Sequence, residues 1–231
     1  MNKIGIIGAM QVEINHLHTI MKDCKEIKIG NLVFYEGKIG KTNIVLVKSG
    51  VGKVNAAMVT TILIITFKVT HLINTGVAGG MSKDLSIFDI VVSTDVIHHD
   101  MNAVGFGYKI CEVPGLDTIS FPADKKMIEL AKEAYKEGSF DKKIKEGRVA
   151  SGDVFVSTAE AKAKIVDICN PVCCEMEGAA VAQVAYLNKV PFIIIRAISD
   201  MAENTDEVYE EEKAAKYSGF LVEHLLKKLG N

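Results

Sequence analysis

Short, wholly apolar runs alternate along the chain with longer stretches whose apolar positions recur every three or four residues. The first habit is that of strands buried on both faces, the second that of helices covering a sheet. The pattern predicts strands at Lys3–Gly8, Ile27–Ile29, Val33–Glu36, Asn43–Lys48, His71–Thr75, Ile90–Ile97, Arg148–Ser151, Val172–Met176 and Pro191–Ile198. It predicts helices at Val12–Asp23, Asn55–Phe67, Asp124–Lys136, Ala159–Ile168, Gly178–Leu187 and Asp206–Leu229. Asp124, just after Pro122, is the expected N-cap of its helix. EVYEEEKAAK gives the last helix a charged face. The alternation implies an α/β fold: one domain over residues 1–231, with a central, mixed but mainly parallel sheet flanked by helices. From about His98 to Phe121 the periodicity fades around Gly105, Gly107, Pro114 and Gly115. A long irregular excursion is expected there, and such loops often carry function.

Composition narrows the partners. The 231 residues are 48% hydrophobic and 24% charged, a globular balance, with a formal net charge of -2. Acidic and basic residues are interspersed, so no nucleic-acid surface is expected. No apolar run approaches the roughly 18 residues of a spanning helix, so no membrane is expected either. The opening MNKIGIIGAMQVE reads as a strand rather than a signal peptide, which suits a cytoplasmic protein. The five cysteines, Cys24, Cys111, Cys169, Cys173 and Cys174, are odd in number and not zinc-spaced, and are expected to be reduced, buried and inert. His98-His99-Asp100 makes a poor metal site, because adjacent side chains on an extended segment face opposite ways. No metal site is expected from these residues.

In α/β sheets, ligands bind beyond the carboxyl ends of the strands. The first strand exits towards Met10 and Glu13, another into SGVGKVNA, another into GVAGG, and another into SGDVFV. The last two exit at Glu177 and at Ser199-Asp200. Three carboxylates, several glycines and Phe155 thus converge on one rim. SGVG lacks the G-x4-G-K-[ST] spacing of a phosphate loop and reads as a tight turn. Glu175 and Glu177 are unexpected in the apolar stretch PVCCEMEGAAVAQVAYL, since a buried carboxylate needs a partner.

NTGVAGG, SGDVFV, CEMEG, RAISD and the opening GIIGAMQVE, in that order, resemble the motifs of bacterial 5′-methylthioadenosine/S-adenosylhomocysteine nucleosidases. The resemblance runs from Lys3 to Leu229. It extends to the wider superfamily of purine nucleoside and uridine phosphorylases, whose fold is a mixed sheet surrounded by helices. It implies cleavage of a purine N-glycosidic bond through an oxocarbenium-like sugar cation.

Residue by residue, the resemblance makes Asp200 the acid that protonates purine N7, although Asp200 alone could equally cap a helix starting at Met201. It makes Glu13 the base that activates water, although Glu13 alone is an ordinary first-turn glutamate. Glu177 is implied to bind the ribose hydroxyls and favour the cation by its charge, with Met176 against the sugar. Phe155 is implied to stack on adenine while the Val156 backbone reads the purine edge. Tyr209 would close over the ribose from the last helix. Met10 and Ser199 belong to matching motifs. Tyr108 and Pro114 match positions that contact the substrate tail from a neighbouring subunit, which implies a homodimer. Glu175 either holds local structure or pairs with Arg196. Val77 departs from the family, which often has serine there; if that serine orients the aspartate, Asp200 must be held another way.

Three other readings compete. Phosphorolysis needs a dianion site, usually built with arginine, and the chain has only Arg148 and Arg196, neither in a glycine-rich loop. Another adenine nucleoside, of aminofutalosine type, would be decided by the tail pocket. A non-catalytic nucleoside-binding protein would have no need of three carboxylates.

Overall fold

The computed structural model describes residues 2–203 and 209–230. Strand β1 (Lys3–Gly8) is the continuous apolar run the pattern predicts. It lies between β4 (Thr42–Lys48) and β5 (His71–Gly80), parallel to both. Its isoleucines are fully buried; each contributes roughly 1.5–3 kcal/mol relative to exposure. Helix α1 (Gln11–Ile20) stops three residues short of the predicted Asp23. The chain turns instead into β2 (Lys22–Ile29), far longer than predicted. β2 is an edge strand paired only with β3 (Leu32–Ile39), and nearly all of it faces solvent. A charged edge strand of this kind carries no apolar alternation to be read. Cys24 lies on it and is exposed, a correction to the expectation of five buried thiols; the other four are buried.

β5 differs most from expectation. The glycines of GVAGG do not turn the chain at Thr75 but continue the strand to Gly80. Its first half pairs with β1, while its length runs along β10 (Phe192–Asp200) and its end meets β9 (Cys173–Glu175). β6 (Ile90–His98) and β8 (Ile144–Ser151) complete a loop of strands, because β10 pairs with both β5 and β6, and β8 with both β6 and β9. The sheet is therefore partly closed on itself. β7 (Phe121–Pro122) is a short addition to β6.

Helices α2 (Lys53–Ile65) and α5 (Gly178–Leu187) pack on each other. The small residues of GAAVAQVA let α5 approach closely, and most of it is buried. α3 (Lys125–Glu137) begins at Asp124, whose carboxylate accepts from the Met127 N–H at 2.8 Å, as its N-cap position predicts. α6 (Glu211–Leu229) packs on α1 and α3; its predicted start at Asp206 lies outside the described residues. α4 (Ala159–Cys169) stands where predicted. The stretch between β6 and β7 is irregular as expected, with one 3-10 turn at Val104–Phe106. No described helix is long and apolar enough to cross a membrane.

Candidate active site

The exits of β1, β8, β9 and β10 and the second half of β5 converge on a cleft of about 270 Å³. Met10, Glu13, Val77, Phe155, Glu175, Met176, Glu177, Ser199, Asp200 and Tyr209 all line it. Val156 lines a small adjoining hollow with Phe155, Met176 and Ala202. Arg196 is fully buried behind the cleft wall. Tyr108 and Pro114 do not line the cleft of their own chain; both sit in the excursion, Pro114 exposed.

Glu13 folds its carboxylate back over the end of β1. Its Oε2 accepts from the N–H groups of Ala9 at 2.6 Å and Met10 at 2.9 Å, and its Oε1 from that of Val77 at 3.0 Å. The glycine at 76 allows this approach: a Cβ there would lie 2.2 Å from Glu13 Oε1. Burial pushes the Glu13 carboxyl above its ordinary pKa, against the Arg196 charge and its three backbone hydrogen bonds.

Asp200 ends β10, and residues 201–203 form a bend rather than the helix it could have capped. Its Oδ2 accepts from the Ser199 hydroxyl at 2.8 Å and its Oδ1 from the Ala202 N–H at 2.9 Å. Ala202 adopts φ +56° to deliver that N–H, a left-handed conformation that costs a non-glycine residue about 1–2 kcal/mol. These two donors hold Asp200 without any help from the Val77 side chain, which packs against Ala197 and Ala214–Ala215.

Glu175 and Glu177 divide the work. Glu175 accepts from the Ser151 hydroxyl, from the N–H groups of Glu177 at 3.2 Å and Gly178 at 2.8 Å, and from the Arg196 guanidinium. It thereby both holds the start of α5 and pairs with Arg196, which also donates to the Asn74 side chain. Glu177 instead accepts from the Gly52 N–H at 2.8 Å and stands 3.9 Å from Arg196. Burial, then the Glu175 charge, pushes Glu177 up to about 8. Both effects disfavour the anion in the free cleft.

Phe155 is 61% exposed, so it is no core residue. It meets Tyr209 edge to face, with ring centroids 6.1 Å apart. Tyr209 precedes α6 rather than lying on it. Burial pushes its hydroxyl pKa upward, with the Glu211, Glu13 and Asp200 charges adding to the shift. Sequence reasoning missed Ser151, Asn74, Gly52 and Ala202, which act through a hydroxyl, an amide or backbone N–H groups. It also missed Val51 and Cys174 on the wall. Ser151 and Asn74 stand at the heads of the SGDVFV and NTGVAGG motifs and are polar residues inside otherwise apolar strands, but neither signal names their partners.

The family model for the phosphorylase superfamily matches residues 3–227. A 5′-methylthioadenosine/S-adenosylhomocysteine nucleosidase of Staphylococcus saprophyticus is 41% identical over 230 residues, 98% of this chain and 100% of the relative. The crystal structure of the nucleosidase of that description from Neisseria meningitidis, in complex with methylthio-immucillin-A, superposes with a TM-score of 0.95 at 37% identity, covering 99% of this chain and 100% of that one. The futalosine hydrolase of Helicobacter pylori superposes with a TM-score of 0.90 at 33% identity, covering 98% of each chain. The chain belongs to the phosphorylase superfamily and, within it, to the family of 5′-methylthioadenosine/S-adenosylhomocysteine nucleosidases, enzymes of the N-glycosyl hydrolase class.

Proposed function

We propose that the protein hydrolyses the N-glycosidic bond of 5′-methylthioadenosine and S-adenosylhomocysteine, releasing adenine and the corresponding thioribose. The observation that carries this reading is the convergence of three buried carboxylates, Glu13, Glu177 and Asp200, on one cleft whose open side bears an aromatic pair. Asp200 gives a proton to purine N7, so that the base leaves neutral. Glu13 takes a proton from the attacking water. Its Oε1 accepts one backbone hydrogen bond and Oε2 two, so Oε1 keeps a lone pair for that water. Glu177 binds the ribose hydroxyls, and a cation developing beside it draws out its anionic form. Phe155 stacks on adenine, Val156 reads its edge through the backbone, Met176 packs on the sugar, and Tyr209 covers it.

Water rather than phosphate fits the electrostatics. No lysine or arginine lines the described cleft. Arg148 is engaged by Asp95 and the Cys169 carbonyl, and Arg196 by Glu175. Two N–H groups at the start of α2, where an anion would sit, are taken by carboxylates, Gly52 by Glu177 and Lys53 by Asp153. The chemistry calls on no metal or organic cofactor, so EDTA leaves activity intact.

The tail of the substrate is met by Tyr108 and Pro114 of the partner subunit in a homodimer. The exposed apolar side chains of the excursion support this, Phe106 most of all at 87% exposure. The enzyme would work in the cytoplasm, returning the thioribose to methionine salvage. The likeness to a futalosine hydrolase favours one second reading, in which the nucleoside carries a different 5′ tail.

The test is to incubate the protein with methylthioadenosine, with and without phosphate. Adenine and free methylthioribose, independent of phosphate, are expected, and Asp200→Asn is expected to lower turnover by about 10²–10⁴. Adenine appearing only with phosphate, beside a sugar 1-phosphate, would overturn the hydrolase reading. Release of adenine from aminofutalosine alone would favour the second.

A further inference from the structure

Three sequence features find no place in the chemistry above: the lysine after SGVG, the acid of His98-His99-Asp100, and the acid of SGDVFV. They lie far apart in the chain, and the fold brings them together. Lys53 Nζ contacts both carboxylate oxygens of Asp100, at 2.6 and 2.7 Å. Asp100 Oδ2 also accepts from the Asp153 N–H at 3.0 Å. Asp153 Oδ1 in turn accepts from the Lys53 N–H at 2.8 Å. The ring closes through three segments: the start of α2, the end of β6 and the loop that leads to Phe155.

Gly52 directly precedes Lys53 in this ring, and a Cβ on it would lie 3.2 Å from Asp153 Oδ1. Its backbone has φ +98°, a conformation that glycine alone adopts without strain. Its N–H is the group that hydrogen-bonds Glu177. Such a conformation persists only where its surroundings over-determine it. The Lys53 and Asp100 side chains are 20% and 28% exposed, at the surface, so the clamp rests on its short bidentate contact and the two backbone hydrogen bonds rather than on burial.

We propose that Lys53, Asp100 and Asp153 form a positioning clamp that fixes the Gly52 N–H against Glu177, and so sets the orientation of the ribose-binding carboxylate. The clamp touches neither the scissile bond nor adenine. This rests on the reading of Glu177 as the ribose partner. The other charged groups facing Glu177 are Glu175 on β9, Arg196 on β10 and Glu13 on α1, and none of them belongs to the clamp.

The test compares Lys53→Met, Asp100→Asn and the double variant with the unaltered protein. The readouts are kcat and KM on methylthioadenosine, adenine affinity, and hydrogen exchange of the segment 50–55. Misplacing a catalytic group by an ångström costs on the order of 10²-fold. Each single variant is therefore expected to lose about 10- to 100-fold in kcat/KM, mostly in kcat. The double variant is expected to lose no more than the worse single one, as for residues acting as one unit. Exchange at Gly52 and Lys53 should quicken while β1 and β5 stay protected, and adenine affinity should stay within about twofold. Additive losses, unchanged exchange at Gly52, or a loss of adenine affinity equal to the loss in kcat/KM would overturn the clamp. If the unaltered protein fails to cleave methylthioadenosine, the reading of function falls, while exchange at Gly52 still decides whether the clamp holds that backbone.

Discussion

At Glu177 the proposed role as ribose partner is set against stability. In the folded protein, burial and then the Glu175 charge disfavour its anion and push the carboxyl up to about 8. In the unfolded chain it titrates near the ordinary value of about 4.3. Between those values the native state holds a proton that the unfolded state has released, so this group lowers stability progressively as pH rises through that window. Glu177→Gln removes the titration and keeps an acceptor for the Gly52 N–H. The variant should melt with the unaltered protein at pH 4, and at pH 8 be more stable by up to about 4–5 kcal/mol, the worth of that window at about 1.36 kcal/mol per pKa unit, while losing turnover. Equal melting temperatures at pH 8 would refute this account. Gly76 makes the complementary point, because any Cβ there collides with Glu13. Gly76→Ala should cut kcat/KM by about 10²-fold with little effect on adenine binding, checked by steady-state kinetics and adenine titration. At this scale the sequence was legible wherever a carboxylate stood at a strand exit. Pattern puts Glu13, Glu177 and Asp200 near one rim, and the family resemblance, not the pattern, singles them out as candidates. Neither singles out Ser151 and Asn74, because what distinguishes them is a partner many residues away.

Among the elements, β5 and β10 carry the site, and they are read from sequence with opposite success. β10 is an apolar run bounded by Pro191 and an acid, and its prediction from Pro191 to Ile198 misses only its last two residues, Ser199 and Asp200. β5 was cut short at Thr75 because glycines ordinarily punctuate. Here they leave room: for Glu13 at Gly76, for Asp200 and Ala202 at Gly79, and for Met201 at Gly80. The same elements enclose Arg196, which is wholly buried between Glu175 and Asn74. A buried pair is costly to form, yet removing one partner costs more, because the other charge is stranded. Arg196→Met should therefore lose about 3–5 kcal/mol in urea unfolding at pH 7. A loss below about 1 kcal/mol would mean that Ser151 and the N–H groups of α5 suffice to hold the Glu175 charge.

For the whole molecule, the partly closed sheet gathers every catalytic candidate on one side of one chain, yet it leaves the excursion without a task. Tyr108 and Pro114 line no described cleft, and Phe106 holds an aromatic ring almost entirely in water. An isolated surface residue needs no explanation, but Val104, Phe106 and Ile110 cluster within seven residues of one loop, and such patches mark interfaces. If the excursion completes the partner's cleft, two defective chains must be able to repair each other. A Glu13→Gln chain has a dead cleft and a sound excursion. A Phe106→Ala chain has a sound cleft and a blunted excursion. In a mixed dimer, the cleft of the Phe106→Ala chain is completed by the excursion of the Glu13→Gln chain. Mixing the two after mild dissociation should restore up to about half of the unaltered activity per mixed dimer, since isologous C2 symmetry gives two clefts and only one is repaired. Activity equal to the mean of the two separate variants would show that each cleft works alone, and the excursion would then need another purpose.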